Sequence, residues 1–232
     1  MYTMFTIIGT LQSFLYEERG VSQFPTARIE ISTGEKFHAC DASGEVATLM
    51  NQIFGLAPVG TAIKVAGKLR FRAFTNRDGA ESVMTLLEVL TGGPVVISTA
   101  SEARFSLVGQ VGDVMTRPTK DGGTFSMPML NMIAADRTGL VANARVELSF
   151  LRDDKTAASW GEHAGQLAQV SGRLDAFITG AGRSIARFYT NKVEFAPWQP
   201  WIAGGLSDPD TMAVDGLAGV IGSADFGEGA LL

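Results

Sequence analysis

From its first residues the chain alternates apolar and polar positions. Phe5, Ile7, Gly9 and Leu11 share one parity, with Thr6 and Thr10 between them, a period-two pattern that predicts a half-buried strand over residues 5–11. Residues 27–32 and 36–40 predict a second and a third strand around Thr33-Gly34. The period then changes. Over residues 45–54, Val46, Leu49, Met50 and Ile53 recur at helical spacing, and Gly55, Pro58 and Gly60 end the helix. Two further strands are expected at 61–74 and 82–90, joined by the turn Asn76-Arg77-Asp78-Gly79.

The same order returns in the second half. Phe5-Thr6-Ile7-Ile8-Gly9-Thr10-Leu11 reappears 100 positions on as Phe105-Ser106-Leu107-Val108-Gly109-Gln110-Val111. Val65-Ala66-Gly67-Lys68-Leu69 reappears after 105 as Val170-Ser171-Gly172-Arg173-Leu174. Two matched anchors at nearly equal offsets mark a duplicated unit of about 95 residues. In the second copy, strands are expected at 105–114, 124–134, 145–151, 167–178 and 184–195. A weak helix is expected at 156–166, where Gly161 lowers the propensity. Pro128 inside its strand predicts an edge or a bulge. Strand-strand-strand-helix-strand-strand is the order of an oligonucleotide-binding (OB) barrel. The expected fold is therefore all-β with short helices: two tandem five-stranded OB-fold barrels plus an acidic C-terminal tail. Residues 1–93 are read as the first barrel, 94–102 as a linker, 103–196 as the second barrel and 197–232 as the tail.

Composition supports packed domains. Hydrophobic residues make up 46% and charged residues 19% of the 232, which supplies cores and excludes global disorder. No apolar run approaches the roughly 20 residues of a membrane helix. The start Met1-Tyr2-Thr3-Met4-Phe5 lacks the basic region and cleavage site of a secretion signal, so a cytoplasmic location is expected. Cys40 is the only cysteine and has no partner for an internal disulfide, in keeping with a reducing compartment. The net charge of −5 argues at first against an anionic partner. Its distribution changes that. All 19 Lys and Arg and 18 of the 24 acids lie in the first 192 residues, so a near-neutral body carries an acidic tail. Such a body binds a polyanion wherever its cations cluster on one face.

The strongest cluster lies in the fourth strand. Alternation puts Lys68, Arg70 and Arg72 on one side and Leu69, Phe71 and Ala73 on the other. Phe74 follows the cationic parity and stands close to Arg77 in the loop. Cations along phosphates and aromatic faces under bases are what hold a single nucleic-acid strand. The alternative is an ordinary solvated strand face with Phe74 folded over the barrel end. In the second copy the candidates are Arg117 and Lys120 in the first loop, with Arg173, Arg183, Arg187 and Tyr189. Phe188 and Tyr189 are adjacent, so one faces the core and the other faces out, as register decides. Trp160 is read as packing. Phe14, Tyr16 and Phe24 flank the first loop of copy one and either cover the barrel end or meet a ligand.

Catalysis has little support. His38 and His163 are the only histidines and stand at unrelated places, without a nucleophile-elbow pattern. His38 and Cys40 share a strand face, but two ligands make a poor metal site. Asp153-Asp154 is a carboxylate pair of the kind that usually faces water. No P-loop or dinucleotide fingerprint is present. No enzymatic activity, cofactor or metal is expected.

Gly67-Lys68-Leu69-Arg70-Phe71-Arg72-Ala73-Phe74-Thr75-Asn76-Arg77-Asp78-Gly79 resembles the fourth strand and following loop of the bacterial and phage single-stranded DNA-binding proteins, in which the Phe74 position is usually Trp and stacks on a base. Leu107-Val108-Gly109-Gln110-Val111-Gly112-Asp113, with Lys120-Asp121-Gly122-Gly123, resembles that family's first strand and turn. The two copies cover about four fifths of the chain. The second copy departs from the pattern, with Asp175, Phe177 and Thr179 where the first has Arg70, Arg72 and Phe74. The resemblance implies a sequence-tolerant protein that protects single-stranded DNA in replication, repair or recombination, in the host cytoplasm if the source is a phage. It also implies four barrels, hence a homodimer of this two-barrel chain, and a tail that recruits replication or repair proteins through acid and an apolar tip. Asp225, Phe226, Glu228, Leu231 and Leu232 would carry that recruitment, although the ending differs from the family's. A merely solubilising tail is the alternative. In the rest of the tail, Trp198 and Trp201 lie between prolines, and Val214, Leu217, Val220 and Ile221 keep helical spacing. Two rival functions stay open: an OB-fold protein–protein adaptor and a phage structural or assembly component.

Overall fold

The computed structural model describes residues 3–75, 81–96, 101–118, 122–135, 141–150, 155–178 and 184–195. The first copy supplies β1 (Thr3–Arg19), β2 (Phe24–Thr33), β3 (Lys36–Ser43), α1 (Glu45–Phe54), β4 (Ala62–Thr75) and β5 (Glu81–Pro94). The second supplies β6 (Glu102–Pro118), β7 (Thr124–Ala135), β8 (Val141–Phe150), α2 (Lys155–Ser159), a 3₁₀ turn (Trp160–His163), β9 (Leu167–Ile178) and β10 (Ser184–Phe195). Each set of five strands closes on itself. β1 pairs with β2 and β4, β2 with β3, β4 with β5, and β3 runs parallel to β5. β6 pairs with β7 and β9, β7 with β8, β9 with β10, and β8 runs parallel to β10. Both copies are closed five-stranded OB barrels, the fold expected from the element order.

The repeated sequence anchors correspond to repeated backbone features. Leu11 donates to the Thr61 carbonyl and accepts from Gly60, and Val111 does the same with Gln166 and Gly165. Gly60 and Gly165 both sit at positive φ, 96° and 83°, where a side chain is disfavoured. Register slips between Ala66 and Gly67 of β4 against β5, and between Thr190 and Lys192 of β10 against β9. At these bulges a Cβ on Gly67 would run into the Glu88 carbonyl, and one on Gly172 into the Tyr189 carbonyl. The Gly in each Val-x-Gly-Lys/Arg-Leu anchor is therefore a close-approach residue.

Bulges also account for strands longer than alternation predicts. The β1–β2 register shifts between Leu11 and Ser13, so the inward parity passes from Leu11 to Phe14 and Tyr16, which pack against the core. A strict period-two reading loses the phase there, and β1 continues to Arg19. β6 likewise runs on to Pro118 after a shift between Val111 and Val114. Pro128 pairs with Val114 next to that bulge, one residue outside the β7–β8 ladder.

The ends of the barrels are plugged differently. α1 buries Ala47, Met50 and Phe54, and Phe54 meets Phe14 with ring centroids 6.1 Å apart. Leu49, expected on the helix's apolar face, is exposed, because the buried stripe runs 47–50–54. In the second barrel the expected helix over 156–166 is a single turn followed by a 3₁₀ turn around Gly161. Trp160 does the plugging. It is fully buried, lies 5.8 Å from Phe150 and 5.7 Å from Phe195, and its Nε1 donates to the Met129 carbonyl at 3.2 Å.

Residues Met1–Pro197 group as one compact unit. β1 pairs antiparallel with β6, with Phe5 opposite Phe105, Thr3 opposite Leu107 and Ile7 opposite Ala103. In repeat numbering the last two are the same pair twice, so Phe5 and Phe105 lie on a pseudo-twofold axis. The barrels thus meet as an isologous dimer does, within one chain. Phe188 of β10 bridges the junction, 5.0 Å edge-on from Phe105 and 6.3 Å from Phe71 of β4.

Candidate nucleic-acid interface

The fourth strand of the first barrel places its side chains as alternation predicts. Leu69 and Phe71 are buried, Lys68 and Arg70 are exposed and Arg72 is half-buried. Across on β5, Lys68 faces Glu88, Arg70 faces Leu86 and Arg72 faces Met84. Arg70 makes a diagonal ion pair with Glu88 at 3.3 Å, an exposed contact that holds the side chain only weakly. The three cations share one outward face with a single directly opposed carboxylate. Phe74 pairs with Ser82 through the backbone. Its side chain and the whole of Arg77 lie outside the described residues.

A groove of about 400 Å³ opens beside this stripe. Arg70, Leu86 and Glu88 form one wall, and Leu15, Arg19, Thr26, Arg28 and Asp41 lie on the others. Arg19 and Arg28 therefore join Arg70 around one cavity, an association that alternation within single strands does not show. Arg19 is held by Glu17 at 2.7 Å. Arg28 lies 3.6 Å from Glu30 and 3.9 Å from Asp41. Burial raises the Asp41 carboxyl above its ordinary pKa, and Arg28 and Arg19 oppose the rise. The groove pairs cations with acids, so a phosphate would enter by displacing exposed carboxylate partners. The signal for Arg28 was its parity with Thr26 and Glu30. Arg19 was hidden by the bulge.

In the second barrel the register settles the neighbours Phe188 and Tyr189. Phe188 is core, and Tyr189 faces outward opposite Arg173. The Arg173 guanidinium sits 4.8 Å from the Tyr189 ring centroid, a cation–π contact. Arg187 is exposed beside them, opposite Asp175, so Arg173, Arg187 and Tyr189 share the outer face of β9 and β10. Arg117 is exposed on the β6–β7 ribbon, opposite Phe125 and 3.8 Å from Glu147. Lys120, Arg183 and the tail residues Asp225, Phe226, Glu228, Leu231 and Leu232 lie outside the described residues. So does Asp153-Asp154.

Asp175, the departure from the cationic pattern, is a junction residue. Its side chain is only 7% exposed, and it meets Arg173 at 3.1 Å and Lys36 of the first barrel at 3.6 Å. His38 lies close by and is buried, its Nε2 3.0 Å from the Thr33 hydroxyl. Burial lowers its pKa to about 4, Lys36 adds to the fall and Asp175 opposes it. Cys40 is buried as well, and burial pushes its thiol up. The open questions about copy one are also answered by packing. Phe14 and Tyr16 cover the barrel end, whereas Phe24 remains 51% exposed.

No family model and no curated protein matches the chain. Among solved structures, the wild-type single-stranded DNA binding protein from Thermus aquaticus is similar over 83% of this chain and 92% of its own, with a TM-score of 0.58 and 18% identity. A deletion mutant of the same protein gives 0.58, 19% identity and 93% of its own length. At this identity the likeness is one of fold: this chain has the two-barrel architecture of those structures.

Proposed function

We propose that this protein binds single-stranded DNA with little regard to sequence, stacking bases on aromatic rings and neutralising phosphates with Lys and Arg. The observation that carries the reading is the outward face of β4, where Lys68, Arg70 and Arg72 line up beside an open groove on an OB barrel. The fold shared with the Thermus aquaticus single-stranded DNA binding protein supports it. Phe74 and Arg77 extend this face in the reading, and Arg173, Arg187 and Tyr189 form its smaller counterpart on the second barrel, with Arg117, Lys120 and Arg183 as further phosphate contacts. Residues 1–93 and 103–196 act as the two domains, and two chains associate to give four barrels. The tail, through Asp225, Phe226, Glu228, Leu231 and Leu232, recruits proteins of replication, repair or recombination. Binding rather than catalysis is the whole of the activity, and the site of action is the cytoplasm.

Fluorescent oligo-dT titrated at two salt concentrations tests this. The expected result is tight binding that weakens with salt, with a log–log slope of about −0.7 per phosphate contacted. Arg70→Ala and Phe74→Ala should each weaken it further, by roughly 1–3 kcal/mol for the ring. No binding at low salt would sink the reading and leave the barrels as an adaptor or an assembly scaffold.

A further inference from the structure

A carboxylate on the outward face of a strand ordinarily meets solvent, and that of Asp175 does not. Aligned on the close-approach glycines Gly67 and Gly172, Asp175 of β9 stands where β4 has Arg70. The Arg70 side chain is 61% exposed, whereas that of Asp175 is 7% exposed, because β3 of the first barrel packs against β9. The parallel pairs Asp41–Glu88 and Ser149–Tyr189 then put Ala144 of β8 where β3 has Lys36. The symmetry mate of the Lys36–Asp175 tie is thus Ala144 with Arg70, which forms no ion pair.

Arg173 and Lys36 share the Asp175 carboxylate. Arg173 Nε lies 3.1 Å from Oδ1, and its Nη2 donates to Oδ2 at 3.4 Å. Oδ2 also faces Lys36 Nζ at 3.6 Å. This two-point hold fixes the direction of the guanidinium and leaves it over the Tyr189 ring, 4.8 Å from the centroid. Arg104, opposite Arg173 across the β6–β9 ladder, is tied instead to Glu102. A phosphate is therefore harder for Arg173 to take than for Arg70. The Arg70–Glu88 pair is open to water, and such pairs exchange at little cost. Arg173 would strip a nearly buried carboxylate of one of its cations, which is costly.

We infer that Asp175 is a positioning residue that latches Arg173, so that phosphate capture by the second barrel and the junction between the barrels compete for one carboxylate. The inference rests on the single-strand reading above and adds regulation to it. The first barrel takes a strand readily, and the second engages Arg173 only where the gain in contacts offsets the broken fork.

The test titrates full-length Asp175→Asn, Lys36→Met, Arg173→Met and their double variants with fluorescent oligo-dT, and thermal unfolding checks that each is folded at the titration temperature. Asp175→Asn should unfold at a lower temperature yet bind about three-fold or more tighter, with a salt slope steeper by about 0.7 for one added phosphate. A merely structural residue would lower stability without tightening binding. In the Arg173→Met background the same change should move affinity by less than about 1.5-fold, because the effect passes through Arg173. Lys36→Met leaves the carboxylate to Arg173 and should weaken binding about two-fold, but not in the Asp175→Asn or Arg173→Met backgrounds. Glu102→Gln removes the same charge from an exposed pair beside Arg173 and is the control, expected within about 1.5-fold of the parent. If Asp175→Asn does not fold, Lys36→Met with and without Arg173→Met decides. Asp175→Asn that binds like the parent, or tightens no more than Glu102→Gln, overturns the latch and leaves the single-strand reading standing. A Lys36→Met loss that persists without Asp175 or Arg173 overturns the link to the junction. A parent that does not bind oligo-dT overturns the single-strand reading and the latch with it.

Discussion

His38 shows how much a single residue depends on its surroundings. On the sequence it is one of two histidines, on a strand face shared with Cys40. In the fold it is a buried base with one ring nitrogen beside Thr33 and the other, Nδ1, without a partner. Its folded pKa of about 4 lies below the ordinary 6.5, so the unfolded chain takes up the proton first. Its contribution to stability is complete above pH 6.5 and is lost as pH falls toward 4. Urea midpoints at pH 7 and pH 4.5 check this: the parent should lose more stability between them than His38→Gln. Asp41, raised in the opposite sense, is common to both proteins and cancels in the comparison. Equal losses would show that His38 does not set the slope.

At the scale of elements, the two copies keep the same strands and differ in what fills the space between the third and fourth. The first uses a ten-residue helix, the second one helical turn and an indole. Trp160→Ala should therefore cost about 3–5 kcal/mol, through a large cavity and an unsatisfied Met129 carbonyl. Trp160→Phe, which loses the N–H but keeps a ring, should cost less than half as much. Guanidinium unfolding of the three proteins measures both. Similar midpoints for all three would mean that the indole is not the plug. The ribbons beyond Leu11 and Val111 are the other element-level feature, and their length follows from bulges that renew the inward phase for Phe14 and Tyr16.

For the whole molecule, the decisive contact is the antiparallel pairing of β1 with β6, which turns a sequence repeat into a pseudo-twofold pair. The symmetry is broken at Asp175. Where the first barrel has an exposed Arg70, the second has a nearly buried carboxylate tied to Lys36 across the junction. Asp175→Asn should lower stability by about 1–3 kcal/mol, and Asp175→Arg, which sets three cations together, by more. Differential scanning calorimetry reads both. A midpoint unchanged in Asp175→Arg would remove Asp175 from the junction. The same contact explains why the second barrel's fourth strand is the less basic: part of that surface holds the barrels together.

Much of this architecture was legible in one dimension. Period-two alternation, the helical interlude at 45–54 and two repeated glycine anchors set the strand order, the duplication and the parity of Lys68, Arg70 and Arg72, because each depends on near neighbours in the chain. What alternation could not carry was phase across a bulge, since one extra residue reverses every later side chain. Nor could it tell which strands face one another. The burial of Phe188 rather than Tyr189, the gathering of Arg19 and Arg28 with Arg70, the outward turn of Leu49 and the enclosure of Asp175 all follow from barrel closure and from the β1–β6 pairing. These are contacts between residues distant in sequence, and only the folded chain brings them together.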